Sequence, residues 1–117
     1  MKKIVLVMDS AIIAMEIKKN LENQGYLVPF IKNTLMSALD EAYDVDLIIL
    51  DMDFVPLDKI VQVKSPIIFL SSKKESEISS GEISGVSVTY DFLYKPFTEK
   101  ELLIKTSQIL SNVYKNS

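Results

Sequence analysis

What most constrains this chain is a set of five short apolar or aromatic runs, at residues 4–8, 26–30, 47–50, 67–70 and 92–94, four of which give way to a polar residue. A run such as 4–8 (IVLVM), apolar at every position, suits a strand covered on both faces. Between the runs the pattern turns helical. Ser10 is an N-cap for a helix reaching about Asn23, with Gly25 as its stop and Ile13, Ala14, Ile17 and Leu21 as its buried stripe. Leu35, Ala38, Leu39 and Ala42 share a face, which predicts a shorter helix over residues 34–42. Thr98-Glu99-Lys100-Glu101 is a capping box that opens a last helix, with Leu102, Ile109 and Val113 on one face beside Leu103 and Leu110. Pro29 cannot donate to a ladder, so the second run belongs at a sheet edge. Strands alternating with helices predict an α/β fold, an open parallel sheet with helices on both faces. Two crossovers are thin. Residues 54–65 barely supply the roughly dozen positions a parallel crossover needs. Residues 73–83 contain Ser79-Ser80-Gly81 and make a poor helix.

Length and composition narrow the function. With 117 residues, 48% hydrophobic and 25% charged, the chain predicts one globular domain. It has no Cys and no His, which removes disulfides, thiolate zinc sites, thiol nucleophiles and Ser–His–Asp triads. All 13 positive charges are Lys and the net charge is −3, so direct nucleic-acid binding is not expected. Nothing approaches the ~20 apolar residues of a membrane span, and the N-terminus lacks a signal-peptide pattern. A cytoplasmic protein without a membrane partner is expected. Any chemistry must come from carboxylates, Lys, Tyr or hydroxyls.

In an open α/β sheet, sites form outside the carboxyl ends of the strands. The polar run ends would meet there: Asp9 with Ser10, Asp51 with Asp53, Ser71 with Ser72, and Lys95. Clustered carboxylates suit a hard divalent cation such as Mg2+. A carboxylate beside Mg2+, a Lys and hydroxyl donors can attack phosphorus, the cation and the Lys balancing charge on the transferred oxygens.

Four segments taken in order, residues 2–10 (KKIVLVMDS), 46–53 (DLIILDMD), 66–72 (PIIFLSS) and 90–97 (YDFLYKPF), resemble the response regulator receiver domain of two-component signalling, in its chemotaxis-regulator-like form. The likeness spans essentially the whole chain. It implies a flavodoxin-like doubly wound five-stranded parallel sheet of order 2-1-3-4-5, with a short third and an irregular fourth helix, as a single receiver domain over residues 1–117. It implies that Asp51 accepts a phosphoryl group from a histidine kinase or phosphotransfer protein. Asp9, Asp51 and the backbone carbonyl of Asp53 would hold Mg2+. Ser71 would hydrogen-bond the phosphoryl oxygen, and Phe92 would be the aromatic that swings inward as Ser71 moves. Lys95 would pair with the phosphoaspartate, and the bond before Pro96 would be cis. The output would be phosphorylation-dependent binding of a downstream protein, with no enzyme activity beyond phosphoryl uptake. A chain this short leaves no room for an output domain, so it would act by docking or be a piece of a larger regulator.

The chain departs from that pattern at Met8, where the family has the first of two adjacent acids. Asp53's side chain would then supply the missing charge, directly or through water. Pro56 sits one residue later than the family's proline, and the family's following Gly is absent. These departures support a second reading, a degenerate receiver that binds partners regardless of phosphate. A third is an enzyme: residues 51–55 (DMDFV) resemble the opening motif of haloacid-dehalogenase-type phosphatases, with Asp51 as nucleophile and Asp53 as general acid/base, although the late paired acids are missing and Asp91 stands alone. Plain structural roles compete at each position. Asp9 and Asp51 could be helix caps, Ser72 could take Ser71's place, and Phe92 could be core. Ile12 and Met15 lie off the main stripe, either packed against loops or forming a partner-binding patch. Lys73-Lys74-Glu75 reads as a solvated loop.

Overall fold

The apolar runs form strands and the capped segments form helices. A computed structural model describes residues 1–39, 45–57, 60–78, 81 and 83–115. Its strands are β1 (Lys3–Val7), β2 (Leu27–Lys32), β3 (Leu47–Asp51), β4 (Ile67–Ser71) and β5 (Tyr90–Tyr94), and its helices are α1 (Ala11–Asn23), α2 (Leu35–Leu39) and α3 (Glu99–Lys115). Every strand pair is parallel and the order is β2-β1-β3-β4-β5, the doubly wound, flavodoxin-like arrangement.

The pleat sorts the strands' side chains onto two faces. Ile4, Leu6, Leu47, Ile49, Ile68 and Leu70 pack under α1 and α3. Val5, Val7, Ile48, Leu50, Ile67 and Phe69 pack against α2 and the thin crossovers. With both faces covered, β3 and β4 are buried at every position, which is why their sequences show no alternation.

Pro29 lies on the edge strand as expected. The β1–β2 register runs from Lys3↔Leu27 to Val5↔Phe30, so β2 carries one extra residue across Val28-Pro29. That bulge accommodates the missing amide. Ser10 caps α1 by accepting the Ile13 N–H at 3.4 Å. At the other end, Gly25 takes φ +91° while its N–H reaches the Glu22 carbonyl and the Tyr26 N–H reaches that of Leu21. These two bonds make a Schellman stop, which favours glycine at the left-handed position.

Several boundaries differ from expectation. Ile13 is 45% exposed and belongs to the rim of the α1 stripe, where it lines a groove with Pro96 and Phe97. β2 starts and ends later than its apolar run, and β5 begins two residues earlier, at Tyr90. The expected end of the second helix, Ala42, lies outside the described residues, as do Ser79, Ser80 and the side chain of Val113. Among the described residues, the short third helix is one 3-10 turn (Ile60–Gln62) and the irregular fourth is another (Glu75–Glu77). The Lys95–Pro96 bond is cis. Among the described residues, no helix is long and apolar enough to cross a membrane.

Candidate functional site

The carboxyl ends of β3, β4 and β5 bring Asp51, Ser71 and Lys95 to one edge of the sheet. Asp51 is the last residue of β3 and only 5% exposed. The chain turns tightly behind it, with the Val55 N–H on the Asp51 carbonyl at 3.0 Å. Lys95 follows β5, and its N–H extends the ladder by bonding the Ser71 carbonyl at 2.8 Å. This fixes its backbone at the end of β4, the strand next to that of Asp51, and two residues past Leu93, which is level with Asp51. The Lys95 Nζ stands 2.7 Å from Asp51 Oδ2 and 3.1 Å from Asp53 Oδ2. The second Asp51 oxygen, Oδ1, accepts the Asp53 N–H at 3.1 Å. Burying a carboxylate this deeply is costly without such partners.

Asp53 faces Lys95 and β4. Both of its carboxylate oxygens accept the Ser72 N–H, at 2.9 and 3.2 Å. Burial pushes the Asp53 carboxyl up, but Lys95 and Ser72 together outweigh this and hold it below its ordinary value. Burial likewise pulls the Lys95 ammonium down, and its bonds to Asp51 and Asp53 outweigh this and raise it. Ser71 is fully buried, and its hydroxyl donates to the Lys73 carbonyl at 3.1 Å and accepts the Lys73 N–H at 3.0 Å. It is thus tied into its own loop. The Phe54 ring lies 5.2 Å from the Lys95 ammonium, within cation–π range. Together Met52, Asp53, Phe54, Ser71, Ser72, Lys73 and Lys95 line an open cleft of about 610 Å³.

Asp9 follows β1 and is exposed. Because Val7 pairs with Leu50, β1 and β3 end at the same level, and Asp9 stands at the same sheet edge as Asp51. Met8 turns into the core and is 3% exposed, packed with the residues under α1 and α3. Among the described residues, no group of three acidic side chains could hold a metal ion. Asp9 and Asp51 put two carboxylates at that edge. That oxygen donor set suits Mg2+, which binds through one or two carboxylates and keeps its waters.

Phe92 points inward, its ring 5.6 Å from Phe69 and stacked 5.9 Å from Tyr94. Ile12 and Met15 are exposed rather than packed against loops. Two contacts escaped sequence reasoning. The Ser72 amide leaves no trace in a side-chain pattern, and nothing in the sequence sets the Phe54 ring beside Lys95.

No family model matches the chain. A curated relative, the uncharacterized transcriptional regulatory protein YbdJ of Bacillus subtilis (strain 168), is 27% identical over 121 aligned positions, covering 96% of this chain and 52% of that protein. The chain therefore spans about half the length of this relative. Among solved structures, the N-terminal domain of a response regulator/sensory box/GGDEF 3-domain protein from Carboxydothermus hydrogenoformans superposes with a TM-score of 0.81 at 27% identity, covering 98% of each chain. A response regulator receiver modulated diguanylate cyclase from Pelobacter carbinolicus is 30% identical, with a TM-score of 0.75 and 100% of both chains covered.

Proposed function

The chain belongs to the response regulator receiver domains of two-component signalling, and from that premise we propose that it takes a phosphoryl group onto Asp51 and signals by binding a downstream protein in that state. The observation that carries this reading is the Lys95 ammonium, 2.7 Å from a buried carboxylate at the end of the central strand. In the proposed step, one Asp51 oxygen attacks the phosphorus of a phosphohistidine on a histidine kinase or phosphotransfer protein. The O–P bond forms as the N–P bond breaks, and the electron pair returns to the imidazole nitrogen, which takes up a proton. Lys95 then faces the oxygens of the acyl phosphate. Asp9, Asp51 and the Asp53 backbone carbonyl would hold Mg2+. When bound, Mg2+ supplies further positive charge to the phosphoryl oxygens. Ser71 is proposed to leave Lys73 and hydrogen-bond the phosphoryl oxygen, with Phe92 as the aromatic that responds to this movement.

Incubation with acetyl phosphate and Mg2+, read by intact mass, tests the reading: one phosphoryl adduct is expected, and none on Asp51→Asn. Absence of an adduct at every Mg2+ concentration rejects it. The buried Met8, an apolar residue where the receiver pattern has an acid, favours a second reading, a receiver that docks partners without phosphate. The same experiment separates the two.

A further inference from the structure

The donors that a phosphoryl group on Asp51 would use are already engaged by an anion of the chain itself. Lys95 Nζ lies 3.1 Å from Asp53 Oδ2 as well as 2.7 Å from Asp51. The Ser72 N–H, which borders the same cleft, points at both Asp53 oxygens. Asp53 stands two residues past Asp51, on the tight turn that brings its own N–H onto Asp51 Oδ1. Its carboxylate is thus a planar anion seated on one ammonium and one amide, beside the residue that would carry the phosphoryl group.

We propose that the Asp53 carboxylate is an internal competitor for the anion seat at Lys95 and Ser72, which a phosphoryl group on Asp51 must displace. The proposal rests on the phosphoacceptor reading of Asp51 and adds to it a role for the Asp53 side chain. Two effects act together. The phosphoryl oxygens and Asp53 seek the same donors, and as like charges a few ångströms apart they repel. Uptake therefore requires the Asp53 carboxylate to turn out to water, where its charge is solvated. Asp53 acts here through Lys95 and Ser72, as a positioning residue that sets how readily the seat receives an outside anion.

The test is titration of the full chain with beryllofluoride at saturating Mg2+, followed by the amide resonance of Ser72. Beryllofluoride binds an aspartate carboxylate as a non-transferable phosphoryl analogue. Asp53→Ala frees both donors and is expected to bind it about tenfold more tightly than the unmodified protein, the scale of one released charge-assisted hydrogen bond. Its Ser72 amide is expected to shift before any anion is added. Asp53→Asn, the closest neutral shape, is expected to gain in the same direction and guards against a folding defect in the alanine variant. A merely structural role for Asp53 would weaken binding instead. If the unmodified protein binds and neither variant binds more tightly, the competition is overturned while the phosphoacceptor reading stands. If none of the three proteins binds, the phosphoacceptor reading itself fails and the competition falls with it.

Discussion

Lys95 holds two carboxylates at once, and this gives stability a definite pH dependence. Asp53 titrates below its ordinary value of 3.8. Its contribution is present above 3.8 and is lost as pH falls through the lower folded value. Lys95 titrates above its ordinary 10.5, so its contribution is present below 10.5 and is lost as pH rises through the higher folded value. Urea midpoints across that range are expected to show a plateau with a fall at each end. In Lys95→Met the alkaline fall due to this residue is expected to disappear. An alkaline limb unchanged by the substitution would contradict the pairing. Asp51, Ser71 and Lys95 were legible in the sequence because each directly follows or ends a hydrophobic strand, where a polar residue stands out. The seat of Asp53 was not legible, because its partner is a main-chain amide whose direction only the folded loop sets.

At the scale of the element, α3 is fixed by reciprocal bonds at its start. The Glu101 N–H reaches Thr98 Oγ1 at 3.1 Å and the Thr98 N–H reaches Glu101 Oε1 at 3.2 Å. Thr98→Ala is expected to lower stability by about 1 kcal/mol in urea denaturation. Gly25 allows a cleaner measurement, because a Cβ placed there meets nothing within 4 Å. The loss in Gly25→Ala, about 1–2 kcal/mol, is then attributable to the left-handed backbone alone. Capped helices such as α1 and α3 announce themselves through the cap and the 3.6-residue period. The start of β5 does not, because Asp91 interrupts the apolar run. The fold accommodates that carboxylate through Lys105 of α3, 2.9 Å away, and through the Phe92 N–H. The two 3-10 turns are too short to set up any period.

Over the whole molecule, one sheet divides the core into two layers, and Phe69 anchors the layer on the α2 side. It is fully buried and contacts the rings of Tyr90 and Phe92. Phe69→Ala is expected to cost about 3–5 kcal/mol in chemical denaturation, a large part of a small domain's stability. A loss under 1 kcal/mol, the scale of an ordinary surface change, would place that ring outside the core. Strand character and parallel pairing followed from the sequence, but apolar runs alone carry no spatial order. That order entered through the resemblance of the four segments.

The extra residue at Val28-Pro29 has a consequence beyond β2 itself. The bulge and the proline together interrupt the regular spacing of backbone groups along this edge strand. A sixth strand, from a second molecule or an extended peptide, would find no continuous ladder to zip onto, so the sheet carries its own barrier to growth on that side.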